Sequence, residues 1–208
     1  MTSDLTTLDE GTRALVQLSA VIAAGSESAM RKSLAVAARV TPAAHVEELV
    51  LQSYLFCGFP RALNAAREWR RVAPTPAPTT DEAEDFTRTE EWRERGERTC
   101  EEVYGRMYDK LRLNVRDLHP ALDSWMVLEG YGKVLSRQGL DLRRRELCVV
   151  AACAATNQDR QLHSHLHGAL NVGVSPELLA EAIDSLHETI GAHRVRSVRL
   201  LLARVLGK

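Results

Sequence analysis

The stretch Arg145-Glu146-Leu147-Cys148-Val149-Val150-Ala151-Ala152-Cys153-Ala154-Ala155 decides the fold. It opens on one carboxylate and continues as a run of apolar side chains, which predicts a helix over 142–156. The apolar run from Leu147 to Ala155 is nine residues long, far short of the roughly 20 needed to span a bilayer. Working outward, alanine, leucine, arginine and glutamate dominate, β-branched runs are short, and helices are expected over 10–25, 27–39, 42–56, 60–72, 118–135, 159–171, 175–189 and 192–206. A polar helix with one apolar stripe around Phe86 and Trp92 is expected within 81–102. No stretch reads as a strand, so the expected fold class is all-α.

Between these helices, Ala73-Pro74-Thr75-Pro76-Ala77-Pro78-Thr79-Thr80 places three prolines in eight residues and reads as a semi-extended linker. An internal repeat flanks it. Arg13-Ala14-Leu15 aligns with Arg145-Glu146-Leu147 at an offset of 132, and Thr41-Pro42 aligns with Ser175-Pro176 at an offset of 134, which sets Glu47 against Glu181. The expected organisation is a first helical repeat over 1–72, the linker over 73–80, and a second helical repeat with its preceding helices over 81–208. Two helical copies, each with an apolar face, are expected to pack against each other.

The chain has 208 residues, 45% hydrophobic and 26% charged, enough to bury a core without disulfides or metals. Its 27 basic and 28 acidic residues leave a net charge of −1, so nucleic-acid binding has no electrostatic support. Met1-Thr2-Ser3-Asp4 carries neither a basic nor an apolar segment, and no secretion signal is expected. Cys57, Cys100, Cys148 and Cys153 are scattered without metal-ligand spacing, which suits reduced thiols in a cytoplasm.

The densest polar constellation follows Glu146, which would lose solvation against its apolar helix. Gln161-Leu162-His163-Ser164-His165-Leu166-His167 alternates three histidines. His163 and His167 share a helix face, while His165 points away from them, toward Leu162, Leu166 and Ala169. The i,i+4 pair lacks a third ligand and a His-Glu-x-x-His pattern, so no metal is expected. Exposed histidines are the bland alternative for that pair, and a satisfied core residue is the bland alternative for His165.

Tyr131-Gly132, Ser136-Arg137-Gln138-Gly139-Leu140, Arg145-Glu146-Leu147 and His165-Leu166-His167-Gly168-Ala169-Leu170-Asn171-Val172-Gly173 stand in an order that resembles the carboxymuconolactone decarboxylase family, related to the AhpD alkylhydroperoxidases. Glu47-Glu48-Leu49 through Gly58-Phe59-Pro60 resembles the family's glutamate-rich helix and its Gly-x-Pro end. The resemblance implies an AhpD-like helical fold, here as two pseudo-repeated units, self-associating into a homo-oligomer (dimer, trimer or hexamer). It also implies a cofactor-free lyase or decarboxylase acting on a small carboxylated lactone-like acid. Its implied site combines Glu146, His165, Arg137 and Glu48: Arg137 clamping a substrate carboxylate, His165 moving a proton, Glu146 orienting that imidazole or acting as the acid, and Glu48 arriving from the other repeat.

One departure is chemical. In the AhpD type a Cys-x-x-Cys lies between the glutamate and a histidine 19 residues later; Glu146 and His165 keep that frame, but Gln158 and Gln161 stand at the cysteine positions. Peroxide reduction by the dithiol route is therefore disfavoured. An AhpD-like peroxidase using Cys57 or Cys148 and a non-catalytic helical oligomer are the alternative functions. No cofactor, nucleic-acid partner or membrane partner is expected.

Overall fold

The computed structural model describes residues 7–207, so the reading of Met1-Thr2-Ser3-Asp4 lies outside it. The described residues hold helices and their connections and no strand. The all-α fold is the one the resemblance implies.

The chain divides into two compact units, Met1–Pro76 with Gly139–Lys208, and Ala77–Gln138. This division differs from the expected split into 1–72 and 81–208, because the helices of the two repeats bury their faces on one another and leave the intervening segment as a unit of its own.

The larger unit contains α1 (Glu10–Ala24), α2 (Glu27–Val40) and α3 (Ala43–Val72), then α7 (Leu142–Ala155), α8 (Asp159–Asn171), α9 (Pro176–Asp184) and α10 (His187–Val205). Side-chain caps set the starts: Asp9 Oδ1 accepts from the Thr12 amide at 2.8 Å, Ser26 Oγ from Ala29 at 3.2 Å, Asp141 Oδ1 from Arg144 at 3.1 Å and Ser175 Oγ from Leu178 at 3.1 Å. Every residue of α7 from Arg145 to Ala154 is buried, as a helix that is apolar nearly all round must be. It packs against α1, α3 and α8. The core cluster of the first repeat, with Leu15, Leu18, Ile22, Met30, Leu34, Leu49 and Trp69, is closed by Leu140 and Cys148 from the second.

Both repeats carry the same fold devices. The separate helices expected over 42–56 and 60–72 are the two halves of α3, which meet at non-helical backbone at Gly58 (φ 78°, ψ 161°), and α10 is broken in the same way at Gly191 (φ 77°, ψ 158°). Backbone in that region is open essentially to glycine alone. Three residues beyond each kink an arginine reaches back to the end of the repeat's first helix: Arg61 Nε donates to Ile22 O at 2.6 Å and Arg194 Nε to Ala154 O at 2.8 Å. The kinks, these arginines and the caps (Pro42 for α3, Ser175 for α9) all stand 133 residues apart. The spatial offset over this half of the repeat is therefore 133, not the 134 read from Thr41-Pro42 and Ser175-Pro176, and Glu47 corresponds to Ala180 rather than Glu181.

The smaller unit holds α4 (Thr89–Tyr104), α5 (Tyr108–Leu118) and α6 (Pro120–Trp125), which runs into a π-helical turn, Met126–Leu135. The polar helix expected from 81 starts only at Thr89, because Asp81 and Asp85 cap two short 3-10 turns ahead of it through the Ala83 and Thr87 amides. Helix α5 was not anticipated. Helix α4 lies close on the π segment: a Cβ on Gly96 would fall 2.1 Å from Val127 O, and one on Gly132 2.2 Å from Trp92 O.

Candidate functional site

Glu146 stands on the second turn of α7 and His165 in the middle of α8. Their 19-residue spacing crosses one tight connection, Thr156–Gln158, which lays the two helices side by side. The result is direct contact: His165 Nδ1 lies 2.9 Å from Glu146 Oε2, with Glu146 0% and His165 5% exposed. The carboxylate is the acceptor, so Nδ1 carries the hydrogen and Nε2 becomes the ring's basic nitrogen. Glu146 Oε1 is buried and has no hydrogen-bond partner among the described residues. Cys153, two turns along α7 from Glu146, is pushed up to about 12 by burial and by the Glu146 charge.

The first repeat supplies one wall. Glu48, Gln52 and Phe56 follow one another at four-residue steps along α3, so they form one stripe. Phe56 meets the His165 imidazole edge-on, ring centroids 5.7 Å apart and planes at 86°. The other two members hold Arg145, the neighbour of Glu146, which is 0% exposed. Its Nη2 donates to Glu48 Oε2 at 2.7 Å, its Nη1 to Gln52 Oε1 at 3.1 Å and its Nε to Leu140 O at 3.0 Å. Gly139 is needed here, since a Cβ on it would sit 2.5 Å from Glu48 Cγ.

Of the four residues singled out in the sequence, the structure joins Glu146 to His165 and gives Glu48 to Arg145. Arg137 belongs to the smaller unit, where its guanidinium holds both oxygens of Asp81 at 2.9 and 2.7 Å. That pair keeps the Asp81 carboxyl below the usual carboxylate range. His163 and His167 are exposed and lie edge to face, centroids 4.9 Å apart, on the opposite side of α8 from His165. Sequence reasoning passed over Arg145, Gln52 and Phe56. The four-residue spacing of the α3 stripe was a signal for the last two; Arg145 stood in the Arg145-Glu146-Leu147 motif, but an arginine at the start of a helix ordinarily faces water, so nothing marked it as buried.

Residues 121–204 match the family model described as carboxymuconolactone decarboxylase family. This segment is similar to that family. The match takes in α7 and α8 and so both members of the buried pair. The chain is also similar to "Peroxisomal protein 2" of Schizosaccharomyces pombe, with 28% identity over 142 residues, 66% of this chain and 64% of that protein. The chain thus spans slightly less than two thirds of that relative. No helix among the described residues is long and apolar enough to cross a membrane.

Proposed function

We propose that this carboxymuconolactone decarboxylase-family chain is a cofactor-free lyase whose proton-transfer pair is Glu146–His165, acting on a small carboxylated lactone-like acid. The single observation behind this reading is the 2.9 Å contact between a fully buried carboxylate and a buried imidazole. Buried carboxylate–imidazole pairs of this kind are characteristic of acid–base sites. In decarboxylation the bond to the carboxyl carbon breaks, CO₂ leaves, and the bonding pair stays on the substrate as an enolate. That enolate must then be protonated. His165 Nε2 first takes a proton from water, forming an imidazolium that Glu146 stabilises through Nδ1, and then passes that proton to the enolate carbon, returning to the neutral ring. The unpartnered Glu146 Oε1 would accept a hydrogen bond from a bound water or a substrate hydroxyl. Glu48 acts through Arg145 as a positioning residue.

A thiol peroxidase is less well supported. Burial pushes Cys148 up to about 12 and raises Cys57, whose thiol donates to Ser53 O at 2.9 Å, so neither is a ready thiolate. The cytoplasm remains the proposed compartment, with the peroxisome as the alternative that the relative's name supports; a fluorescent fusion separates the two. A homo-oligomer is proposed, to be checked by light scattering.

The function is tested by CO₂ release from a panel of unsaturated γ-lactone carboxylates. Glu146→Gln and His165→Gln are each expected to lower kcat by about 10²-fold or more while the circular dichroism of the chain is unchanged. Turnover of none of the panel, or equal turnover by both variants and the parent, would overturn the reading.

A further inference from the structure

The repeat allows the chain to be compared with itself, and the comparison exposes a second site. In the first repeat the angle between the two halves of α3 is filled from within. The Trp69 indole N–H donates to Glu47 Oε1 at 2.6 Å, Arg70 binds the same carboxylate oxygen, and the Arg70 guanidinium lies 5.9 Å over the indole ring. At the 133-residue offset these three positions are Ala180, Leu202 and Ala203. All three line an open groove between α9 and α10 with a volume of about 790 Å³. Where the first half has a carboxylate, an aromatic ring and a guanidinium, the second has alanine, leucine and alanine beside an open space.

The rim has changed in the opposite sense. Leu63 and Ala66 of the first repeat correspond to Arg196 and Arg199, which stand one turn apart on α10 at the groove's edge. Arg196 is exposed and makes no ion pair among the described residues; Arg199 meets Asp184 only at 3.6 Å. The remaining acid of the rim, Glu177, lies on the first turn of α9. An aliphatic floor with guanidinium groups at its edge suits a flat apolar body that carries an anion.

We propose that the α9–α10 groove is a binding site for a small aromatic carboxylate, its ring lying on Ala180, Leu202 and Ala203 and its carboxylate held by Arg196 and Arg199. The first repeat carries the internal likeness of that ligand, an aromatic ring and a carboxylate bridged by an arginine. The site is separate from the Glu146–His165 pair and does not depend on the activity proposed for it.

Calorimetric titration of the full chain with indole-3-propionate tests the proposal, with the uncharged indole-3-propanamide as the second probe. Saturable binding of the acid, weakened about tenfold or more in the amide and in an Arg196→Gln/Arg199→Gln variant, is expected. Ala180→Glu alone, and Ala180→Glu/Leu202→Trp/Ala203→Arg together, rebuild the first-repeat filling and are expected to abolish binding. Single substitution of the half-exposed Ala180 keeps the test valid if the triple variant misfolds. No saturable binding up to millimolar probe, equal affinity for acid and amide, or undiminished binding by Ala180→Glu would each overturn it.

Discussion

Replacing Glu48 by glutamine tests what this carboxylate does. The Arg145 side chain is 0% exposed and its partner Glu48 9%, so the pair lies where a lone charge is poorly tolerated. Removing one member of such a pair costs about 3–5 kcal/mol, nearly all of it the desolvation of the charge left behind. Glutamine still offers an oxygen to Nη2, and Gln52 and Leu140 O keep their bonds to Nη1 and Nε, which places Glu48→Gln at the lower end, about 3 kcal/mol. With a urea slope of about 1–3 kcal/mol per molar, the unfolding midpoint should fall by roughly 1–3 M. Circular dichroism at 222 nm in urea reads this directly. The double variant Glu48→Gln/Arg145→Met, which removes the charge as well, should recover most of the loss. Gly139→Ala, which drives a methyl into Glu48 Cγ, should give a partial version of the same defect. A Glu48→Gln midpoint unchanged within about 0.3 M, or a double variant worse than either single one, would refute the account of Glu48 as the counter-charge of a buried arginine.

Other consequences can be checked separately. At Gly191 a new Cβ would meet nothing within 4 Å, so Gly191→Ala should cost about 1–3 kcal/mol from backbone strain alone; an unshifted thermal midpoint would show that the kink is not strained for alanine. Asp123 takes two hydrogen bonds from Arg112, which hold its carboxyl below the usual range. Its stabilisation is therefore complete above the unfolded value of about 3.9 and is lost as pH falls through the lower folded value. Below about pH 4 the parent's melting temperature should converge on that of Asp123→Asn; a constant gap between them would count against the assignment. Iodoacetamide on the native protein at neutral pH should modify half-buried Cys57 before Cys148 and Cys153, which should react only on unfolding. Prompt labelling of Cys153, read by mass spectrometry, would show that α7 is less enclosed than described.

The helical fold was legible because its signals are local. Alanine and leucine periodicity, the caps at Asp9, Ser26, Asp141 and Ser175, and the glycines at 58 and 191 each act within a few residues. The Glu146–His165 contact was legible for a related reason, since the two residues sit on consecutive helices joined by a short turn. What the sequence concealed depends on distant partners. The ion pairs of Glu48 with buried Arg145 and of Arg137 with Asp81 join residues 97 and 56 positions apart, and no local pattern announces them. The one-residue error in the repeat register arose because Thr41-Pro42 and Ser175-Pro176 look alike as sequence, yet Pro42 and Ser175 are the residues that cap the two helices. Helix α5 did carry a signal that was passed over, a stripe of Tyr108, Leu111 and Val115 on its half-buried side.

Leu140 and Cys148 close the first repeat's core from beyond the inserted unit, and this sets an order on biosynthesis. A ribosome releases residues 10–72 well before α7 exists, so the nascent first repeat must wait with its inner surface wet while the smaller unit emerges. Truncations that end in the proline-rich segment should therefore be captured by chaperones or precipitate rather than persist as a free-standing half. The first helical half of this chain needs the second in order to stay dry.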